Sequence, residues 1–288
     1  MQADQERRRR RDDARWVLRL KMRQGGSSAY ELGRMVFHVG TTPDSHGLIM
    51  GHEKDLPTEF IERINYMFQL TPVWAKPNMK IGKTEIIFPD IRSTIRVGTV
   101  RTMSKDGVGV KLGRTCRYLY GTEVANPAWT DDIIKILLQV VSKETGQVAF
   151  ESTADGARGW FYEAYQAAKA GHSKFRAYFY PWKWHPEYAE PVPEGFEPTT
   201  EEQGLMRVYN LTREQIVWRR NKIEDELQGD IDRFREQYPE NDTDCFLLSG
   251  SQFFDQSALR FQLETPGCVM GSDSIRGRIR ELQTLPIA

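Results

Sequence analysis

The segment QGGSS, Gln24–Ser28, joins a short apolar run to a helical pattern, and its residue types are those of a phosphate-binding loop. Backbone N–H groups of a glycine-rich turn at a helix N-terminus bind phosphate, and a Ser or Thr hydroxyl of such a loop ligates Mg²⁺. A lysine normally precedes that hydroxyl residue, but Ser27 occupies the position here, and the nearest cations are Lys21 and Arg23. Taken alone, the segment is either a nucleotide site whose cation has moved forward or an ordinary strand-turn-helix connection.

Two other apolar runs also end in polar residues. Thr122 and Glu123 follow the run at 117–120. Glu151, Ser152 and Thr153 stand at the end of the run that begins at residue 148. The carboxyl ends of parallel strands meet at one crevice, where such sheets bind ligands. ATP hydrolysis requires a group that helps to hold Mg²⁺ and a carboxylate that polarises water, and Glu123 fits the second role. By itself Glu123 is equally a turn cap, but three polar strand ends together favour one site.

The elements around these residues alternate in type along the chain. Strand-like runs at 15–21, 47–52, 117–120, 148–151 and 175–180 alternate with helical patterns at 29–39, 57–68, 131–141 and 160–170. This alternation predicts an α/β fold with a mostly parallel sheet covered by helices on both faces. The segments KIGKTEIIFP and STIRVGT, between residues 76 and 99, predict an antiparallel pair added to that sheet, with a turn near Gly82-Lys83.

The sequence changes character at Pro181. The segment at 181–198 contains five prolines and is incompatible with a core helix or a central strand, so it predicts a wall or linker on the sheet domain. The patterns at 200–208 and 212–237 are helical, and each begins at a Thr with acidic residues in the first turn. They predict a small helical subdomain after the sheet.

Composition narrows the class of protein. The 288 residues are 39% hydrophobic and 28% charged, with no apolar run long enough to span a bilayer, which indicates a globular protein without a membrane role. Cys116, Cys245 and Cys268 lack CxxC spacing, which argues against a disulfide framework or structural zinc and indicates a reducing, cytoplasmic setting. Residues 1–23 carry nine Lys or Arg against four Asp or Glu, so this end is a phosphate-contacting surface or a solvated terminus.

Four segments resemble the large terminase subunit, the genome-packaging motor ATPase of tailed bacteriophages. KMRQGGSSAY (21–30) is similar to the deviant Walker A loops of these motors, and CRYLYGTEVANPAW (116–129) is similar to their Walker B strand and catalytic glutamate. Residues 150–188 resemble the coupling motif with its aromatic segment, and residues 211–255 resemble the linker subdomain. The resemblance extends from about Arg15 to Asp255.

The resemblance implies a P-loop, RecA/ASCE-like ATPase domain with a small helical linker subdomain. We therefore expect a basic leader at 1–14, an ATPase core at 15–190, a linker subdomain at 191–260 and a tail at 261–288 that leads to an absent nuclease domain. DNA cleavage by this chain alone is not expected.

The same resemblance implies a nucleotide site for ATP and Mg²⁺. Lys21 or Arg23 would contact the phosphates, and Ser28 would ligate Mg²⁺ with help from Thr122. The residues that would form the phosphate cradle are Gln24, Gly25, Gly26 and Ser27.

It also implies roles in catalysis and coupling. Glu123 would be the carboxylate that orients water, and Ser152 and Thr153 would sense the γ-phosphate and transmit its loss. Arg114 would reach the ATP of a neighbouring subunit, although a surface or phosphate-backbone arginine is the alternative.

Two positions depart from the family pattern. Thr122 stands where Walker B usually has aspartate, so Mg²⁺ would be held by a hydroxyl or through water. The family has an adenine-side glutamine before the loop, and only Gln2 and Gln5 precede it here. Either the leader is shortened or adenine is held differently.

The function implied is ATP-driven translocation of double-stranded DNA into a procapsid, in the cytoplasm of an infected bacterium. The implied partners are the portal protein, the small terminase subunit and further copies of the chain in a ring. A helicase-like translocase would need a second RecA-like half, for which the helical, proline-rich second part leaves no room. A degenerate DNA-binding module without hydrolysis stays open, because the loop lysine and the Walker B aspartate are both missing.

Overall fold

The computed structural model describes residues 15–102 and 115–246, and these described residues lie within one unit, Met1–Ser249. The leader at 1–14, Arg114 and the tail at 261–288 lie outside them. No helix in the described ranges is long and apolar enough to cross a bilayer. The domain boundaries predicted at residues 190 and 260 stay predictions.

A mixed sheet organises the described chain. Its strands are β1 (Trp16–Lys21), β2 (His46–Gly51), β3 (Lys80–Ile81), β4 (Glu85–Phe88), β5 (Ser93–Thr99), β6 (Tyr118–Thr122), β7 (Gln147–Ser152) and β8 (Arg176–Tyr180). They lie in the order β3-β4-β5-β2-β6-β7-β1-β8, with every pair parallel except β3-β4 and β4-β5. The predicted mostly parallel sheet and the added antiparallel pair are therefore confirmed, and the first segment of that pair is itself a hairpin.

Helices cover both faces of this sheet. They are α1 (Ser27–Thr41), α2 (Leu56–Leu70), α3 (Asp131–Gln139) and α4 (Gly159–Lys169). Successive strand residues point to opposite faces, so Ala149 of β7 packs in the core under α1 and α2 while Phe150 packs in the core under α3 and α4. The sheet therefore has two hydrophobic cores, and the β-strand ends between them are left for polar residues.

The helical part that follows has its own aromatic core. Its helices are α5 (Thr200–Tyr209), α6 (Arg213–Asn221) and α7 (Ile231–Gln237), and we call residues 181–246 the linker segment. Trp182, Trp218, Phe234 and Tyr238 pack together in this core, and Tyr188 stacks on Trp218 with ring centroids 4.4 Å apart. Thr199 and Thr212 cap α5 and α6 through complete capping boxes, so Thr212 is the predicted first residue of its pattern and the cap of α5 lies one residue before the predicted Thr200.

The single helical pattern predicted at 212–237 is interrupted in the structure. Helix α6 continues into a π-helical turn, Lys222–Glu226, and then ends where Gln228 and Gly229 adopt positive φ angles of 55° and 83°. Helix α7 starts afresh, with the Asp230 side chain accepting a hydrogen bond from the Arg233 N–H at 2.8 Å. Glycine tolerates the left-handed conformation that such a break requires.

Candidate active site

The segment between β1 and α1 has the backbone of an anion-binding loop. Strand β1 ends at Lys21, and α1 begins at Ser27 directly after Gly26, whose φ of 74° places it in the left-handed region. The N-cap residue of α1 is Gly26, which has no side chain to bond the first N–H groups, and the first residues of α1, Ser27 to Ala29, line the crevice at the strand ends. Such N–H groups and the helix dipole favour phosphate, which is the ligand that the sequence predicts for this loop.

The front of this loop is attached to the linker segment. The Arg23 N–H donates a hydrogen bond to the Gln237 carbonyl at 2.8 Å, and the Tyr188 hydroxyl donates to the Arg23 carbonyl at 2.7 Å. Met22 is buried in the aromatic core of the linker segment. The Arg23 side chain itself is exposed. The backbone at residues 22–23 therefore connects the phosphate loop to the linker segment.

Lys21 and Glu123 form an ion pair across the strand ends, with Nζ 2.9 Å from Oε1. Burial opposes the charged form of Lys21, but the carboxylates of Glu123 and Glu151 outweigh that cost and raise the pKa of Lys21 above its ordinary value. Burial likewise opposes ionisation of Glu123, but Lys21 and a backbone hydrogen bond from Thr153 outweigh it, so the pKa of Glu123 lies below its ordinary value. Both groups are therefore charged at neutral pH.

The predicted coupling residues contact this same carboxylate. The Ser152 and Thr153 hydroxyls each lie 3.4 Å from Glu123 Oε2, and Ser152 Oγ also accepts a hydrogen bond from the Ala125 N–H at 3.1 Å. Glu123 has a positive φ of 52°, which is uncommon for a residue with a side chain and is held by these surroundings. The end of β7 thus positions the turn that carries Glu123.

Glu151 lies beneath this surface and is fully buried. Its carboxylate accepts hydrogen bonds from Ser28 at 2.8 Å, Tyr120 at 2.6 Å and Thr122 at 3.3 Å, and also from Ser27. In the sequence Glu151 stands among the polar residues at a strand end, and no motif there indicates a role for it. The signal was its alternation with Phe150, which puts Glu151 on the face of β7 that α1 covers.

These groups surround an open cavity of about 860 Å³. Every candidate site residue that the structure describes lines it: Lys21, Arg23, Gln24, Gly25, Gly26, Ser27, Ser28, Thr122, Glu123, Ser152 and Thr153. Arg114 lies outside the described residues, as do Gln2 and Gln5. The cavity also has lining residues that sequence reasoning missed, among them His52 after β2, Arg63 of α2 and Arg233 of α7. Linker and sheet residues therefore enclose the cavity together.

The hydroxyls of Ser28 and Thr122 fit the Mg²⁺ that the fold implies. Both residues line the cavity, and both hydroxyl groups donate a hydrogen bond to Glu151. A hydroxyl has one proton and two lone pairs, so each oxygen keeps lone pairs for a cation. Mg²⁺ prefers oxygen ligands and usually combines a few protein groups with water and substrate phosphates.

Comparison with solved structures finds large terminases. The chain is similar to the large terminase ATPase domain of Thermus phage P74-26, with 17% identity over 80% of this chain and 89% of that chain and a TM-score of 0.53. It is also similar to the large terminase of bacteriophage HK97, with 14% identity over 87% of this chain and 50% of that chain and a TM-score of 0.55. No protein-family model matches the sequence, and no curated protein matches it.

These similarities confirm the predicted fold. The chain has the fold of these large terminase ATPase domains at a low sequence identity. It spans about half the length of the HK97 protein. Sequence identity at this level supports only the shared fold. Any inference about activity or partners therefore has to rest on the residues of the site.

Proposed function

We propose that the chain is the ATPase motor domain of a viral genome-packaging terminase, which hydrolyses ATP to move double-stranded DNA into a procapsid. The observation that carries the proposal is the Lys21–Glu123 pair in the cavity beside the phosphate loop. A cation for phosphate and a carboxylate for water are what ATP hydrolysis requires, and the pair brings both to the ends of parallel strands.

Lys21 is the cation that replaces the missing loop lysine. It is 6% exposed and its ammonium group is paired with Glu123 at the cavity, whereas Arg23, which also lines the cavity, is exposed. Lys21 exchanges Glu123 for the β- and γ-phosphates when ATP binds. This exchange releases Glu123 to accept a proton from the attacking water.

The hydroxyls of Ser28 and Thr122 hold Mg²⁺ in this proposal. When bound, Mg²⁺ neutralises charge on the β- and γ-phosphates. The backbone of residues 24–27 forms the phosphate cradle, because its N–H groups lie at the start of α1.

Coupling runs through the contacts of Glu123 and Arg23. Ser152 and Thr153 contact the carboxylate that must move, and the Arg23 backbone is bonded to α7. Loss of the γ-phosphate changes both sets of contacts and shifts the linker segment against the sheet. Arg114 is proposed to complete the site of a neighbouring copy in a ring. The portal protein, the small terminase subunit and the cytoplasm of an infected bacterium are the proposed surroundings.

The experiment measures ATP turnover of the full chain with duplex DNA and the portal protein present. We expect Glu123→Gln to lower turnover by roughly 10²- to 10⁴-fold while nucleotide still binds, because the variant loses the base and keeps the loop. Glu62→Gln, which changes an exposed carboxyl of α2 outside the cavity, is the matched control and should turn over ATP at the wild-type rate.

The result also separates the enzyme from the alternative module. Equal, near-background turnover in the wild type and in Glu123→Gln, with nucleotide binding retained in both, would overturn the enzyme proposal. It would favour a DNA-binding module that does not hydrolyse ATP.

A further inference from the structure

The magnesium position of this site lacks an acidic residue on β6. P-loop ATPases hold Mg²⁺ with the loop Ser or Thr and an Asp at the end of the neighbouring acidic strand. Here Thr122 occupies the strand position and brings a neutral hydroxyl. A neutral pair of hydroxyls is a weak site for a divalent cation, so the missing charge has to come from elsewhere.

Glu151 lies directly beside Thr122 in the sheet. The two residues are paired in the register of β6 and β7, so their side chains point to the same face. One oxygen of the Glu151 carboxylate, Oε1, accepts hydrogen bonds from Ser28 at 2.8 Å and from Thr122 at 3.3 Å. A single carboxylate oxygen therefore joins the two hydroxyls that the proposed function assigns to Mg²⁺.

Glu151 is buried without an ion pair of its own. Its carboxylate is fully buried, and its hydrogen-bond donors are hydroxyls of Ser27, Ser28, Tyr120 and Thr122. Among the ion pairs of the described ranges, none includes Glu151. The charge of Lys21 acts on Glu151 as well, but its ammonium group is paired with Glu123, so the arrangement favours further positive charge on the cavity side of the hydroxyls.

We propose that Glu151 is the positioning residue that supplies the negative charge missing at Thr122, acting on Mg²⁺ through the Ser28 and Thr122 hydroxyls. It accepts a hydrogen bond from each hydroxyl, which leaves the oxygen lone pairs for the cation and makes them stronger ligands. Glu151 itself does not line the cavity, which agrees with a role behind the ligands. This inference rests on the proposed function, because it concerns the same nucleotide site.

The test is the effect of Mg²⁺ on the affinity for a non-hydrolysable ATP analogue, AMP-PNP. Affinity is measured by calorimetry with excess Mg²⁺ and with EDTA, and the ratio of the two gives the Mg²⁺ enhancement without any turnover. We expect Glu151→Gln to lower this enhancement by roughly 10- to 100-fold, or to abolish it, because outer partners of metal ligands have effects of this size. The affinity in EDTA should stay at the wild-type value.

Two further variants separate a charge effect from a packing effect. Tyr120→Phe removes another donor to the same carboxylate oxygen and leaves the charge, so it should keep the wild-type Mg²⁺ enhancement. Adding Thr122→Asp to Glu151→Gln places a carboxylate at the usual strand position and should restore the enhancement. A purely structural role for Glu151 predicts no such rescue.

The outcomes decide between the two levels of proposal. If AMP-PNP fails to bind the wild type under both conditions, the proposed function fails and this inference fails with it. If AMP-PNP binds and the wild type shows no Mg²⁺ enhancement, or Glu151→Gln keeps it, only the inference is overturned. Equal weakening with Mg²⁺ and with EDTA, without rescue by Thr122→Asp, would also overturn it. Should Glu151→Gln fail to fold, Glu151→Asp withdraws the charge by one methylene and must lower the enhancement.

Discussion

Two fully buried glutamates, Glu31 of α1 and Glu151 of β7, differ in the side chains that surround their carboxylates. Each accepts a hydrogen bond from a tyrosine of β6, at 2.5 Å from Tyr118 for Glu31 and at 2.6 Å from Tyr120 for Glu151. Glu31 also forms an ion pair with Arg19, which is 4% exposed. Glu151 instead accepts hydrogen bonds from hydroxyl groups beside the cavity.

This difference separates a structural charge from one that serves a ligand. The cation of Glu31 is part of the fold, so the pair is complete without any bound molecule. The hydroxyls around Glu151 satisfy its hydrogen bonds and leave its charge to act on whatever enters the cavity. Burial and hydrogen bonding alone therefore do not distinguish the two roles, and a direct ion pair with a buried cation does.

The largest effect on stability should come from Glu31→Gln. The substitution leaves the Arg19 guanidinium buried without its carboxylate, which typically costs about 3 to 5 kcal/mol. In Glu151→Gln the buried Lys21 keeps its ion pair with Glu123, so this substitution should cost clearly less. Urea unfolding of both variants, with fluorescence and circular dichroism as coincident probes, gives the two free energies of unfolding.

The contrast fails if the two free energies of unfolding fall by the same amount. A larger loss for Glu151→Gln would mean that Glu151 is mainly a structural group that fastens the loop to the sheet. The Mg²⁺ enhancement of AMP-PNP affinity should be unchanged in Glu31→Gln, since this residue lies away from the cavity lining.

A middle-sized effect is expected for the cation of the cavity. Lys21→Met should weaken AMP-PNP affinity by roughly 10- to 100-fold, because a hydrogen bond to a charged group contributes about 1.5 to 3 kcal/mol. Arg23→Met should have a smaller effect, because the loop uses the Arg23 backbone while its side chain is exposed. Calorimetric titration of the two methionine variants measures this directly. A greater loss of AMP-PNP affinity in Arg23→Met would show that Arg23, and not Lys21, takes the role of the missing loop lysine.

The smallest effects should come from the two tyrosine hydroxyls. Tyr118→Phe and Tyr120→Phe each remove one donor from a carboxylate that keeps other partners, the Arg19 ion pair for Glu31 and hydroxyl donors for Glu151, so each should cost about 1 kcal/mol of stability. Thermal unfolding of the two variants beside the wild type provides the measurement. A cost several times larger in one of them would show that this tyrosine provides most of the stabilisation of its buried glutamate.

Much of the site could be predicted from the order of residues along the chain. Thr122, Glu123, Ser152 and Thr153 follow strand patterns, and parallel strands bring their carboxyl ends together whatever their order in the sheet. The glycine turn before a helix predicts the loop in the same local way. The confirmed fold and the shared cavity both depend on such short-range patterns.

The partners of these residues could not be predicted in the same way. The role of Glu151 depends on the register that places it beside Thr122, and register between strands distant in sequence leaves no local pattern. The bond between Arg23 and Gln237 joins residues at opposite ends of the described chain. The break at Gly229 was missed because helical periodicity continues on both sides of it.

The stacking of Tyr188 on Trp218 gives the protein an optical reporter of its own. The Tyr188 hydroxyl is bonded to the Arg23 carbonyl in the phosphate loop, and its ring lies against a buried indole that also contacts Trp182. Tryptophan fluorescence depends on the rings packed around the indole, so displacement of the loop alters the fluorescence of the linker segment. Nucleotide arrival and departure can then be timed without attaching a dye.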